Sequence, residues 1–267
     1  MREPLDTQLL FRENFASMRN PLIVGGASGI GLALAHLLAD QADTETVWIV
    51  DRNLPSAEQN HPKFRVQQFD LTHEDYSIFS HFPTVDGLFI TAGFARLSLF
   101  KDIDEAHLVS SFQVNALAPL RIVHHFYERL QQKADFPCAI MVSIAGFLSS
   151  PFYAVYGATK AALRSFIESV NVELSRTGTL NRILNVSPGH FSGSQFEGGT
   201  STQLEQLFPL AQEILSRALA HDDLYIPQYD EVFHAVLDRY QADFRKEGQR
   251  AYDYKLQSGR VKNQQLR

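Results

Sequence analysis

Short apolar runs alternate with amphipathic stretches along most of this chain. The runs have the length of buried strands, and between them apolar residues recur at helical spacing, as in Leu34, Leu37 and Leu38. This alternation predicts an α/β fold with a doubly wound, mostly parallel sheet flanked by helices on both faces. The predicted strands cover residues 21–24, 47–50, 64–69, 87–90, 138–142 and 182–186.

The alternating pattern occupies residues 21–227, which are predicted to form the body of one domain. A polar extension, residues 1–20, precedes it, and its few apolar residues fit a short packed helix. Residues 228–267 follow, with apolar positions at helical spacing over 230–245 and then a polar tail. We expect this C-terminal part to belong to the same domain and to cover an edge or serve assembly.

Composition narrows the class of protein. The chain has 267 residues, 45% hydrophobic and 20% charged, which is ordinary for a globular protein with a substantial core. A formal net charge of −6 argues against nucleic acid as a partner. The sequence contains neither a signal peptide nor an apolar run of about eighteen residues, so we expect no secretion and no membrane span.

Cysteine and histidine usage adds two expectations. The single Cys138 lies in an apolar predicted strand, where it reads as a small core residue. A single cysteine cannot form a disulfide within the chain, which suits a cytoplasmic protein. His124 and His125 are adjacent and therefore point to different sides of a helix, and paired metal-ligand spacings do not occur among the ten histidines, so no metal site is expected.

The spacing of Ser143, Tyr156 and Lys160 carries the most chemical information. A tyrosine and a lysine four positions apart lie on one helix face, where the ammonium favours the phenolate and lowers the tyrosine pKa below its free value of about 10. A phenol tuned in this way is a general acid and base for a carbonyl or alcohol. Such pairs also arise by chance, so the interpretation depends on the rest of the chain.

A glycine-rich turn follows the first predicted strand. Gly25, Gly29 and Gly31 stand between that strand and a helical pattern, where glycines permit a tight turn and close approach of the backbone to a pyrophosphate. The phosphates then lie at a helix N-terminus, whose free N–H groups favour negative charge. The second predicted strand ends at Asp51, twenty residues after Gly31, the distance at which an acid accepts hydrogen bonds from an adenosine ribose.

Together these motifs resemble the short-chain dehydrogenase/reductase family, in its compact single-domain form. The spacing Gly-x-x-x-Gly-x-Gly is the pattern of that form, and the resemblance covers residues 21–227. It implies a Rossmann-like dinucleotide-binding and catalytic domain. Four positions depart from the family pattern, the first being Val24, which replaces the usual threonine before the first glycine. Thr91 follows Ile90 where two asparagines are usual, and Gly193 replaces a carboxamide-binding threonine, with Ser192 or Ser194 as its candidate substitute.

The resemblance also implies where the cofactor is bound. Gly25, Ser28, Gly29, Ile30 and Gly31 correspond to the pyrophosphate loop, Asp51 to the ribose acid with Arg52 beside it, Asp70 and Leu71 to the adenine contact, Ala92 and Gly93 to the turn after the fourth strand, and Pro188, Gly189 and His190 to the turn beside the nicotinamide, with Tyr156 and Lys160 completing the site.

Asn115 corresponds to the fourth member of the family's catalytic set, beside Ser143, Tyr156 and Lys160. It lies in a helix predicted over 105–132, and Pro119 has no N–H to donate to the Asn115 carbonyl, so the helix should kink there and leave a free acceptor. In the family this carbonyl holds a water connected to the lysine. Tyr156 is then the acid/base, Ser143 holds the substrate oxygen, and Lys160 tunes the tyrosine and binds the nicotinamide ribose.

The implied activity is that of an NAD-dependent oxidoreductase transferring a hydride between nicotinamide and a ketone or secondary alcohol. We expect NAD rather than NADP, because the 2′-phosphate would meet the like charge of Asp51. Arg52 argues against this preference, because its guanidinium could bind the 2′-phosphate. Ser28 argues for NAD, because NADP-preferring relatives often carry a basic residue at that position. A non-catalytic NAD(H)-binding regulatory or assembly protein and an NAD-dependent epimerase or dehydratase remain as alternatives.

Residues 191–210 take the place of the family's mobile substrate lid, and the residues around it predict an apolar pocket for a small carbonyl or alcohol. The resemblance implies a homodimer or homotetramer, because the corresponding helices pair across subunits in the family, and both helices here carry apolar residues beyond one stripe. The pocket residues are Phe94, Phe147, Leu148, Phe152, Phe196 and Phe208, with Arg96 at the rim, and the helix residues are Ile122, Val123, Phe126, Phe166, Ile167 and Val170.

Overall fold

Parallel strands form the centre of the molecule. The computed structural model describes residues 18–193, 196, 202–258 and 261. In this part of the chain seven strands make one sheet in the order β3-β2-β1-β4-β5-β6-β7, and every neighbouring pair is parallel. The strands are β1 Pro21–Val24, β2 Val47–Asp51, β3 Phe64–Gln68, β4 Gly87–Ile90, β5 Cys138–Met141, β6 Ile183–Val186 and β7 Leu224–Tyr225.

Helices cover both faces of the sheet, which confirms the predicted fold class. They are α1 Gly29–Ala39, α2 Glu105–Phe112, α3 Ala118–Gln131, α4 Ala154–Thr177, α5 Leu204–Leu219, α6 His234–Ala242 and α7 Phe244–Gln257. None of the helices in the described ranges is both long enough and apolar enough to cross a membrane.

Each face of the sheet packs its own apolar core. Leu22 and Val24 point to the side of α3 and α4, where they meet Ile122 and Leu163. Ile23, between them in β1, points to the opposite side, which α1 and α5 cover. Burial on both faces explains why the central strands are continuous apolar runs rather than alternating ones.

The strand order reverses between β1 and β4, where the chain moves to the other half of the sheet. In doubly wound sheets, ligands bind in the crevice at the carboxyl ends of the strands at such a switch point. The loops after β1, β2, β4, β5 and β6 all leave the sheet at this edge. They contain the glycine turn, Gly93, Ser143 and Pro188, and Asp51 is the last residue of β2, so the topology brings the predicted site residues to one place.

Two predicted elements differ in detail. The helix predicted over 105–132 is divided by a π-helical segment, Gln113–Leu117, that contains Asn115. Pro119 lies in the first turn of α3, where a missing N–H is tolerated. The polar tail predicted after residue 245 instead continues as helix α7. The extension before residue 18 and most of the central lid segment, residues 194, 195 and 197–201, lie outside the described residues.

The apolar residues used to predict assembly serve mainly the core of the single chain. Ile122, Val123, Phe126, Ile167 and Val170 are all buried between the helices and the sheet, and Phe166 packs against them. A long helix such as α3 or α4 needs a wide apolar face to cover a sheet. Packing on the sheet therefore explains why these residues are apolar.

Candidate active site

The glycine turn brings the N-terminus of α1 to the carboxyl edge of the sheet. Gly25 has a φ of +92°, and a side chain there would overlap the backbone of Ala92. Gly31 packs against the Gly25 carbonyl, so a β-carbon at this position would also clash. Ser28 occupies the N-cap with an extended backbone and makes no side-chain cap bond. This geometry presents backbone amides of the α1 N-terminus to an anion.

Asp51 reaches from the end of β2 to the glycine turn. Its carboxylate accepts a hydrogen bond from the Ala27 N–H at 3.0 Å and another from the Asn53 N–H at 2.9 Å. A carboxylate has about four acceptor positions, so it can accept further bonds from ribose hydroxyls. The structure therefore brings Asp51 and the glycine turn together, as their spacing predicted.

An open pocket lies beside Asp51 at the ends of β2 and β3. Arg52, Gln68, Phe69, Asp70 and His73 line it. Asp70 is engaged in its own turn, because it accepts bonds from the backbone N–H and the hydroxyl of Thr72, each at 2.9 Å, and the backbone bond lowers the pKa of its carboxyl. The Leu71 side chain is buried in the core, and its carbonyl accepts a bond from the Tyr76 hydroxyl at 2.8 Å.

The loop after β4 is fixed by two side chains. The Thr91 hydroxyl donates to the Gly25 carbonyl at 2.9 Å, which ties this loop to the glycine turn. Asn115, fully buried in the π-helical segment, accepts a bond from the Phe94 N–H at 2.9 Å and donates to the Phe94 carbonyl at 2.8 Å. Asn115 thus holds the loop through its side chain, a role that the sequence argument about its carbonyl did not anticipate.

Tyr156 and Lys160 lie in the first two turns of α4. Lys160 is only 3% exposed, its Nζ donates to the Met141 carbonyl at 2.8 Å, and it lies 5.7 Å from the centre of the Tyr156 ring. Burial lowers the pKa of Lys160 to about 7. A β-carbon on Gly93 would lie 3.5 Å from this Nζ, so the glycine leaves the space beside the lysine open.

Ser143 is at the end of β5, opposite the turn that follows β6. Its Oγ accepts a bond from the Ala145 N–H at 3.2 Å and lies 3.5 Å from the Pro188 carbonyl, which also accepts from the Ile144 N–H. Gly189 follows that carbonyl directly, and His190 is exposed beyond it. The predicted catalytic serine and the predicted nicotinamide turn are therefore neighbours.

A narrow cavity adjoins Tyr156. The predicted Phe152 and Arg96 lie in it, although Arg96 is paired with Asp104 at 3.2 Å. Phe147 lies instead beneath the guanidinium of Arg164, and Phe208 packs into the core on the other face of the sheet. Among the described residues, the cavity is lined by Arg96, Ser98, Phe100, Ile103, His107, Ser111, Phe152, Ala154, Val155 and Tyr156.

Two residues of this edge were missed by sequence reasoning. The Thr202 hydroxyl accepts a bond from the Gly29 N–H at 3.0 Å, although 173 positions separate the two. Gln59 donates to the Thr202 carbonyl at 3.2 Å. Thr202 lies in residues 191–210, whose abundance of Gly, Ser and Thr was the sequence's sign of polar contacts there, whereas Gln59 lies outside that segment. Among the described residues, the acidic, histidine and cysteine side chains form no group that could hold a metal ion.

Sequence comparison finds known proteins that are similar to this chain. The family model for short chain dehydrogenases matches residues 19–204. An uncharacterized oxidoreductase of Staphylococcus epidermidis is 27% identical over 187 residues, which cover 66% of this chain and 80% of that protein. A 3-ketodihydrosphingosine reductase of Yarrowia lipolytica is 32% identical over 199 residues, which cover 66% of this chain and 52% of that protein.

A solved short chain dehydrogenase from Burkholderia cenocepacia, in complex with NADP, has the same fold, with a TM-score of 0.67 at 17% identity over 84% of this chain and 97% of that one. The family match covers more than half of the chain and includes the glycine turn, Asp51, Ser143, Tyr156 and Lys160. With those residues gathered at one edge of a parallel sheet, the chain belongs to the short-chain dehydrogenase/reductase family.

Proposed function

We propose that this protein is an NAD-dependent oxidoreductase that exchanges a hydride between nicotinamide and a ketone or secondary alcohol. The observation that carries the proposal is the buried Lys160, 5.7 Å from the Tyr156 ring and beside Gly93 at the carboxyl edge of the sheet. Burying an ionisable amine without a carboxylate partner opposes folding, so its retention next to a phenol favours a chemical role.

The groups of this chain fit a dinucleotide laid along the edge. The amides at the α1 N-terminus suit the pyrophosphate oxygens, and the Thr202 hydroxyl beside Gly29 can turn to donate to the same oxygens. Asp51 has acceptor positions for the adenosine ribose hydroxyls. Gly93 leaves room for the second ribose next to the Lys160 ammonium.

The catalytic roles follow from the chemistry of each side chain. The bound nicotinamide would supply or accept the hydride. Tyr156 would give its phenolic proton to the carbonyl oxygen in reduction, and its phenolate would take the hydroxyl proton in oxidation. Ser143 would hold the substrate oxygen by a hydrogen bond. Lys160, when protonated, would favour the phenolate.

Asp51 supports NAD over NADP. A 2′-phosphate bound here would lie close to a carboxylate that is already anchored to the glycine turn through Ala27, so the carboxylate could not turn aside without breaking that bond. Arg52 and His73 at the neighbouring pocket would attract such a phosphate. We give more weight to Asp51, because its two backbone bonds fix it in place.

The substrate is proposed as a small carbonyl compound or alcohol with an apolar body because of the family's chemistry, and the cavity beside Tyr156 does not by itself define it. That cavity has a volume of only about 10 Å³, and its wall contains polar residues, such as Ser98 and His107, as well as the apolar Ile103. Assembly as a homodimer or homotetramer is supported by apolar side chains that are exposed on the helical face of the single chain. The helix residues from which the sequence predicted assembly do not support it, because they pack in the core. These side chains are Val109, Phe112, Leu117 and Val172.

A cytoplasmic location remains a proposal that rests on the single buried cysteine.

A screen of ketones with NADH and of alcohols with NAD, followed by NADH absorbance, tests the proposal. Tyr156→Phe should lower turnover by at least about a hundredfold while NADH affinity changes only a few-fold. Tyr127→Phe, the same change on α3, where the phenol donates to Glu173 at 3.4 Å, should behave as the unmodified protein. NADH binding without turnover of any tested compound would favour a binding protein, and isomerised product without net NADH change would favour an epimerase.

A further inference from the structure

Helix α7 lies against the turn that joins Ser143 to Tyr156, although the family model ends at residue 204. Gly248, Tyr252 and Lys255 share one face of this helix, at spacings of four and three residues. That face contacts the turn formed by residues 149–153. We name the face, with these three residues, the C-terminal clasp.

Lys255 makes the most specific contact of the clasp. Its Nζ donates to the Ser150 Oγ at 3.0 Å and to the Pro151 carbonyl at 2.9 Å, and it lies 5.3 Å from the centre of the Tyr153 ring. The residue is only 8% exposed. A buried ammonium is retained only where such acceptors compensate its desolvation, so these bonds fix its position.

Tyr252 holds a strained residue. Phe152 has a φ of +67°, in the left-handed region that bulky side chains avoid, and its ring stacks on Tyr252 with centroids 4.6 Å apart. The Phe152 carbonyl accepts a bond from the Ser98 N–H at 2.9 Å. Strained backbone of this kind persists where its surroundings over-determine it, and it clusters at functional sites. Phe152 also lines the cavity beside Tyr156.

The turn leads directly into the catalytic helix. The Tyr153 N–H donates to the Ser150 carbonyl at 2.9 Å, and the Tyr153 carbonyl accepts from the Gly157 N–H at 2.7 Å in the first turn of α4. The N-cap residue of α4, Tyr153, makes no side-chain cap bond. The start of α4 therefore depends on the turn that Lys255 and Tyr252 hold, and Tyr156 stands three residues beyond its N-cap.

The clasp is itself anchored. Arg239 on α6 makes two hydrogen bonds to the Glu247 carboxylate, at 2.8 and 2.9 Å, and Arg250 adds a third at 3.0 Å. Preceding α6, Phe233 packs so closely on Gly189 that a β-carbon there would lie 2.5 Å from its ring. The C-terminal segment thus contacts both the turn before Tyr156 and the turn beside Ser143.

We propose that Lys255 is a positioning residue, which holds the 149–153 turn and through it the Tyr156 phenol in the orientation needed for proton transfer. This inference rests on the proposed function. It assigns to the segment after the family-matched region a part in the reaction rather than only the covering of an edge.

Steady-state kinetics of Lys255→Met, Lys255→Arg and the control Lys246→Met test the proposal. Lys246 lies on the same helix and is exposed, so its variant removes an equal charge away from the turn. We expect Lys255→Met to lower kcat about tenfold with the KM for NADH within about twofold, Lys255→Arg to recover most of the loss, and Lys246→Met to change neither constant. A Ser150→Ala variant should lower the effect of Lys255→Met, because the two residues share one bond.

Hydrogen exchange of the Tyr153 amide, which donates to the Ser150 carbonyl, gives a readout that needs no turnover. Exchange should be at least about tenfold faster in Lys255→Met than in the unmodified protein, with the central strands unchanged. Unaltered kcat together with unaltered exchange in Lys255→Met would overturn the proposal. A loss of kcat with faster exchange throughout the sheet would also overturn it, because that pattern would mean general unfolding. If the unmodified protein lacks oxidoreductase turnover, the proposed function and the positioning role fail together, and exchange then reports only whether Lys255 holds the turn.

Discussion

Lys160 gives a prediction that can be worked quantitatively from its burial. Its pKa falls from an ordinary 10.5 to about 7 because the amine is buried and its hydrogen bond is to a neutral carbonyl, that of Met141. Between about pH 7 and pH 10.5 the unfolded chain therefore holds a proton that the folded protein has released. Stability rises with pH wherever the unfolded state binds more protons, at about 1.4 kcal/mol per pH unit for one group.

Below about pH 7 both states are protonated, and the folded protein bears the full cost of burying an ammonium, about 5 kcal/mol for a displacement of this size. Lys160→Met removes this cost and keeps an apolar chain of similar length. The variant should therefore be the more stable protein near pH 7, and its advantage should shrink by about 3 kcal/mol by pH 9.

Urea unfolding at several pH values measures the effect as a difference between the two free energies of unfolding. Both proteins should carry Tyr156→Phe, so that the neighbouring phenol does not titrate in either. Lys246→Met in the same Tyr156→Phe background serves as the matched control, and its curve should run parallel to that of the Tyr156→Phe protein. A pH-independent difference for Lys160→Met would refute the reasoning, because it would mean that Lys160 titrates alike in folded and unfolded chains.

Three further predictions follow from the site. Asp51→Ala should reduce or reverse an NAD preference of at least about tenfold in kcat/KM, about 1.4 kcal/mol, and equal efficiencies with NAD and NADP in the unmodified protein would show that Asp51 does not decide cofactor choice. Gly31→Ala should abolish detectable NADH binding by calorimetry, since its β-carbon would overlap the Gly25 carbonyl, and unchanged affinity would contradict the packing described. Pro119→Ala should restore an N–H that favours α-helical over π-helical geometry around Asn115. Turnover should then fall with little change in the KM for substrate. An unchanged rate and an unchanged pH profile would exclude a role for the π-helical geometry.

The strands and the outline of the site could be predicted because their signals are local. Buried parallel strands must be apolar on both faces, so β1 and β4 were found with their exact limits. The glycine turn, Asp51, Ser143, Tyr156 and Lys160 follow fixed spacings that the topology then brings to one edge. β7 was missed because two residues give no periodicity to read.

The contacts that refine the site could not be predicted, because they join distant parts of the chain. Thr202 meets Gly29 and Lys255 meets Ser150 across more than a hundred positions in each case. The tail after residue 245 looked polar because α7 buries only a narrow face, with Lys255 and Glu247 as its buried side chains. Phe208 was placed in the substrate pocket by its type and its neighbourhood in sequence, whereas the direction of its helix turns it into the core.

Transfer of deuterium from NADH that is deuterated at both C4 positions tests the central claim most directly. Once a ketone substrate has been found, mass spectrometry of the alcohol should show one deuterium at the carbinol carbon for each NADH oxidised, and Tyr156→Phe should form this product at least about a hundredfold more slowly while still binding NADH. Product without deuterium, or labelled product formed by Tyr156→Phe at the rate of the unmodified protein, would contradict the account.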